Sequence, residues 1–136
     1  MADRKAVVFC SASFDIDERY NDLARDVVRT LYGCGYGMVS GGTVKGTMKV
    51  IADEARRLGM EHVGIVPVFM KGVEYSDASE LIWTDTMSER KEAMRAGTCL
   101  AVALPGLSSW AEEDAFCAAL FRKSSIGAML QCAALA

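Results

Sequence analysis

Ser40-Gly41-Gly42-Thr43-Val44-Lys45-Gly46-Thr47-Met48 lies between a short apolar run, Tyr36-Gly37-Met38-Val39, and a set of apolar residues, Met48, Ile51, Ala52, Ala55 and Leu58, that share one helical face. The order is strand, glycine turn, helix. Glycines at 41, 42 and 46 permit positive φ and close backbone approach, so amide groups and the positive end of the next helix can converge on an anion such as phosphate. A P-loop would carry its lysine directly after the second glycine, whereas Lys45 precedes Gly46 and Thr47 follows it. A dinucleotide fingerprint fails as well, because Gly42 is adjacent to Gly41. An ordinary tight turn between strand and helix is the other reading of these residues.

Working outward, 136 residues of which 51% are hydrophobic suffice for one domain with a real core and are too few for two. The formal net charge of -3 leaves no general basic surface for nucleic acid, so a phosphate must be held by a local site. Five cysteines, Cys10, Cys34, Cys99, Cys117 and Cys132, are odd in number, widely spaced and without a Cys-x-x-Cys pair. They read as reduced, buried thiols of a cytosolic protein. His62 is the single histidine, so no His/Cys cluster offers a metal site, and any Ser-His or Cys-His nucleophile would have to use it. Its setting, Glu61-His62-Val63-Gly64-Ile65-Val66, reads as a strand with a plain structural histidine. No amino-terminal apolar signal and no run of membrane-spanning length is present, so the expectation is a soluble, cytoplasmic protein without membrane or nucleic-acid partners.

In chain order, Lys5 to Cys10 is a continuous apolar run suited to a strand covered on both faces. Asp15 and Glu18 have capping-box spacing, and Tyr20, Leu23, Ala24, Val27, Val28 and Leu31 then fall on one helical face that Gly33 and Gly35 terminate. The helix after the glycine turn ends at Gly59. Val63 to Val68 is the next strand, with Pro67 near its end. Residues 69 to 78 read as a loop and Leu81-Ile82-Trp83 as a weak strand. Thr86 and Glu89 make a second capping pair, and Thr98 to Ala103 a buried strand that delivers Pro105 to Glu113 and another helix. Arg90 and Lys91 fall near a helix amino terminus, where cations are disfavoured; they call for a compensating anion, or snorkel outward and pair with Glu89 or Glu92. Alternating strands and helices predict a parallel α/β sheet with helices on both faces.

Ligands of such sheets bind beyond the carboxyl ends of the strands. Four loops are expected to converge there, 10–15, 40–48, 85–91 and 105–113, offering hydroxyls, glycine amides, a guanidinium and two carboxylates. That set suits a sugar phosphate better than a dinucleotide.

Cys10-Ser11-Ala12-Ser13, Gly41-Gly42 with Gly46 and Met48, Met87-x-x-Arg90-Lys91, and Pro105-Gly106 followed by Glu112-Glu113 resemble, in order and spacing, the LOG ("lonely guy") family over residues 5 to about 116. The resemblance implies a Rossmann-like three-layer sandwich. It also implies a cytokinin riboside 5′-monophosphate phosphoribohydrolase, cleaving the N-glycosidic bond of a nucleoside monophosphate to free base and ribose 5-phosphate. Carried over, it implies catalytic roles for Arg90 and Glu113, and substrate contacts from Ser11, Ser13, Gly41, Gly42, Gly46, Met87, Lys91, Gly106, Ser109 and Glu112. No metal or other cofactor is implied, and the expected partner is a second copy in a homodimer. A carboxylate near the ribose would stabilise an oxocarbenium-like state, while the arginine holds phosphate or assists the leaving group.

The sequence departs from the family in its second loop, where Gly106-Leu107-Ser108-Ser109-Trp110 lacks two glycines and a threonine. Thr43, Lys49 and Ser88 are further departures, and Glu112 is also explained by a Ser109-x-x-Glu112 capping box. The resemblance therefore carries alternatives: an impaired or silent nucleotide- or phosphate-binding protein of the same fold, or a structural partner subunit using Met129, Leu130 and Leu135. The family continues into further elements where this chain has Phe121-Arg122-Lys123-Ser124-Ser125 and an Ala-, Cys- and Met-containing end. A single domain over 1–136, truncated or frame-altered after about residue 107, is the expectation.

Overall fold

The computed structural model describes residues 4–10 and 18–104 and the backbone of two strands, 118–123 and 129–135. The elements are β1 (Arg4–Phe9), α1 (Glu18–Gly33), β2 (Tyr36–Ser40), α2 (Thr47–Leu58), β3 (His62–Pro67), a 3-10 turn (Val68–Met70), β4 (Glu80–Thr84), α3 (Met87–Ala96), β5 (Leu100–Ala103), β6 (Ala118–Lys123) and β7 (Met129–Leu135). They build one sheet in the order β4-β3-β2-β1-β5-β6-β7. The first five strands are parallel to their neighbours. β6 adds antiparallel to β5, and β7 antiparallel to β6.

Side chains alternate across the sheet, and both faces are covered, which is why the strands read as unbroken apolar runs. Ala6, Val8, Met38 and Val102 pack with Val27, Val28 and Leu31 of α1 and Ile51 and Ala55 of α2. On the opposite face Val7, Val39, Val63, Ile65 and Ala101 pack with Met94 of α3. The α/β fold with helices on both faces is thus the one the chain adopts. The antiparallel pair β6–β7 was not foreseen. Asp15 and residues 105–117, including the helix expected after Pro105, lie outside the described residues.

Local chemistry sets the helix ends. Gly59 closes α2 at φ 74, donating its backbone N–H to Ala55 and Arg56 carbonyls, a left-handed cap that favours glycine. Thr86 Oγ1 accepts from Glu89 N at 3.1 Å at the start of α3. The reciprocal bond runs one residue further back than a capping box would place it, with Asp85 N donating to Glu89 Oε2 at 2.9 Å. The weak strand 81–83 is the edge strand β4, and Pro67, which cannot donate to a ladder, is the last residue of β3. Of the cysteines, Cys10 is buried, but Cys34 and Cys99 are exposed, correcting the expectation that all are buried. Both sit outside the apolar strand interiors, at the end of α1 and just before β5.

Candidate active site

The parallel register places the carboxyl ends of β1 and β2 side by side, so the residues that end or follow them meet α3. There Gly41, Met87, Arg90 and Lys91 line one cavity of about 190 Å³ with Val8, Phe9, Cys10, Met48 and Met94. These four are the predicted site residues that the structure brings together. Gly42 and Gly46 do not line it, and Ser11, Ser13, Gly106, Ser109, Glu112 and Glu113 lie outside the described residues.

Arg90 is the centre of the arrangement. It is only 8% exposed, so neither outward snorkelling nor pairing with Glu89 or Glu92 describes it. Its Nε donates to the Ile65 carbonyl at 2.9 Å and its Nη2 to the Gly41 carbonyl at 2.7 Å. Nη1 faces Met87 Sδ at 4.0 Å, a weak contact, and no carboxylate pairs with the guanidinium among the described residues. Two carbonyls satisfy two of five donors and none of the charge. Burial lowers the Arg90 pKa, opposed by Cys10, but the group remains a cation at neutral pH. A desolvated cation with donors left over favours an anion in the cavity. Lys91, one residue on, is exposed and stands at the rim.

Gly41 makes this approach possible. A Cβ built there would overlap Arg90 Nη2 and sit 2.7 Å from Met48 Sδ. Gly42, at φ 71, serves packing instead: a Cβ would lie 2.8 Å from Gly64 Cα on the neighbouring strand. Its amide donates to Ser40 Oγ at 3.1 Å and its carbonyl accepts from Tyr75 N at 2.7 Å. Both backbone groups of Gly42 thus have partners inside the protein, the amide in Ser40 and the carbonyl in Tyr75. Gly46 is the amino-terminal cap residue of α2 at φ 54, and no side chain caps that helix end.

The remaining walls are apolar and rich in methionine, which conforms to irregular flat surfaces. Burial pushes the Cys10 thiol up to about 12 against the opposing pull of Arg90, which favours the protonated thiol at neutral pH. Cys10 and Met48 stand in the loops 10–15 and 40–48 expected at the site, whereas Phe9 was not expected as a lining residue. The signal was available only in part, because the end of an apolar strand is where such walls arise. Behind the cavity Ser40 Oγ lies 2.6 Å from His62 Nε2, both buried, a contact the sequence did not foretell. Among the described residues no group of three or more His, Cys, Asp or Glu side chains could hold a metal ion. No helix among them is long and apolar enough to cross a membrane.

No protein-family model matches the chain. A cytokinin riboside 5′-monophosphate phosphoribohydrolase from Mycobacterium tuberculosis is 37% identical over 106 residues, covering 76% of this chain and 56% of that protein. One of the same name from Mycobacterium marinum is 33% identical over 101 residues, covering 73% and 54%. The chain therefore spans about half the length of the curated relatives it matches. Among solved structures, the molybdenum cofactor carrier protein of Chlamydomonas reinhardtii superposes with a TM-score of 0.64 at 18% identity, covering 78% of this chain and 65% of that one, a likeness of fold alone.

Proposed function

The chain belongs to the LOG family by its likeness to these phosphoribohydrolases, and from that premise we propose that it hydrolyses the N-glycosidic bond of a cytokinin-type nucleoside 5′-monophosphate. One observation carries the reading: Arg90, buried and without a carboxylate partner among the described residues, presents unused donors to the cavity at the carboxyl ends of the strands. Arg90, with Lys91 at the rim, holds the phosphate or steadies the departing base. The methionine walls take the flat face of the base. Glu113 supplies the carboxylate that stabilises positive charge on the ribose as the bond from C1′ to the base nitrogen breaks. The base leaves with the bonding electron pair and takes up a proton from solvent, water adds to C1′ and gives up one proton to solvent, and the products are free base and ribose 5-phosphate. Ser11, Ser13, Gly106, Ser109 and Glu112 complete the ribose and phosphate contacts in this reading, and no cofactor enters the chemistry.

In this reading residues 1–136 belong to a single nucleotide-monophosphate-binding domain that acts as a homodimer in the cytoplasm. Support for pairing comes from the outer edge of the sheet, where Val68, Phe69, Ile82, Trp83 and Met87 are exposed around β4. A second reading, nucleotide binding without turnover, is favoured by Leu107, Ser109 and Trp110 standing where the family carries glycines and a threonine. The test is release of base and ribose 5-phosphate from AMP and isopentenyl-AMP by the parent, Arg90→Ala and Glu113→Gln. Release by the parent that falls about 100-fold or more in both variants supports the hydrolase. No release, with AMP still raising the melting temperature, selects binding without turnover; no release and no shift rejects both.

A further inference from the structure

The Gly41–Gly42 peptide unit is held at both ends. Its carbonyl accepts from Arg90 Nη2 at 2.7 Å, and its N–H donates to Ser40 Oγ at 3.1 Å. A trans peptide is planar, with C=O and N–H on opposite sides, so the orientation that offers the carbonyl to Arg90 is the one that offers the N–H to Ser40. Glycine on both sides of the bond leaves that orientation weakly fixed by sterics, since rotation of the unit meets no side chain of its own. The hydrogen-bond partners of the unit have to choose it.

Ser40 makes that choice only if its own hydrogen bonds are satisfied. The hydroxyl is 1% exposed and has one proton and two lone pairs. Gly42 N–H occupies one lone pair. The nearest remaining polar atom is His62 Nε2 at 2.6 Å, brought there because β2 and β3 are adjacent parallel strands. If Nε2 carried the imidazole proton, the serine O–H would be buried without an acceptor among the described residues. The arrangement that satisfies the Ser40 hydroxyl has it donating to an unprotonated Nε2, with the imidazole proton on Nδ1. His62 is itself fixed by its backbone N–H donating to Ser79 Oγ at 3.0 Å.

From this chain of contacts we infer that His62 is a positioning residue for Arg90, acting through Ser40 and the Gly41–Gly42 peptide unit. It touches neither the cavity nor any anion in it. The inference rests on the proposed function for the statement that the Arg90 cavity takes a nucleotide, but not for the coupling itself.

The experiment uses the full chain and four variants: Ser40→Ala, His62→Leu, His62→Gln and Arg90→Ala. A glutamine amide oxygen can stand close to where Nε2 is and accept from Ser40; leucine cannot. Nitrogen-15 NMR of the parent is expected to show the His62 proton on Nδ1, a slowly exchanging Gly42 amide and a resolved Arg90 Nε–H. In Ser40→Ala and His62→Leu the Gly42 amide exchanges faster and the Arg90 Nε–H shifts or broadens, while His62→Gln keeps both near parent values. AMP binding weakens about tenfold in the first two and stays within about twofold of parent in His62→Gln. An Arg90 Nε–H unmoved in Ser40→Ala, a proton on Nε2, or failure of His62→Gln to restore the signals overturns the inference. If the parent binds no AMP the nucleotide reading falls, and the Arg90 signals alone still decide the coupling; Arg90→Ala confirms their assignment.

Discussion

Gly41 and Arg90 account for each other. The glycine leaves room for a guanidinium against its carbonyl, and the guanidinium occupies the volume a Cβ would need. Gly41→Ala is expected to displace Arg90, lower stability by about 1–3 kcal/mol and abolish nucleotide binding, read by thermal melting and by AMP titration. Gly97→Ala, at φ -95 with nothing within 4 Å of the new methyl, is the control and is expected to leave both unchanged. His62 gives a prediction in pH. Burial depresses its pKa to about 4 from the usual 6.5, so the unfolded chain takes up the proton first as pH falls. The contribution to stability is complete above pH 6.5 and declines from there toward pH 4, by at most about 1.4 kcal/mol per pH unit. Urea midpoints between pH 7.5 and 4.5 should therefore fall more steeply for the parent than for His62→Gln.

At the scale of elements, α1 and α2 are joined on one face of the sheet by a carboxylate between two guanidinium groups. Glu54 Oε2 accepts from Arg57 Nη2 at 2.5 Å and from Arg29 Nε at 2.8 Å. The hydrogen bond from Arg57, together with that from Arg29, outweighs desolvation and brings the Glu54 pKa down to about 2 from 4.5. Its stabilisation is full above pH 4.5 and is lost as pH falls toward 2. Because both arginines are half in solvent, about 1–2 kcal/mol is the expected size, measured as the loss in Glu54→Gln at pH 7 and its disappearance near pH 2. These helices were legible because apolar residues every three or four positions leave few alternatives for a chain with glycines at the ends. The arrangement β6–β7 was not, since Ala118 to Lys123 and Met129 to Leu135 have no decisive period. An apolar run of that kind becomes a strand when an open sheet edge, here β5, satisfies its backbone.

For the molecule as a whole, the edge strand β4 and the 3-10 turn after β3 leave large apolar side chains outside, Phe69 at 65% exposure being the largest case. The homodimer reading predicts that the parent sediments at twice the chain mass and that Phe69→Asp with Trp83→Asp sediments as a monomer. A monomeric parent would remove the pairing while leaving the Arg90 site untouched. The sequence alone determined the alternation of strands and helices and the position of the glycine turn, because periodicity and turn chemistry are local properties of the chain. Only the tertiary structure decided that Arg90 points inward onto two carbonyls, that Gly42 is committed to the turn, and that His62 meets Ser40. The contacts of Arg90 and His62 join residues 22 to 49 positions apart, and their partners are chosen by strand register and helix packing.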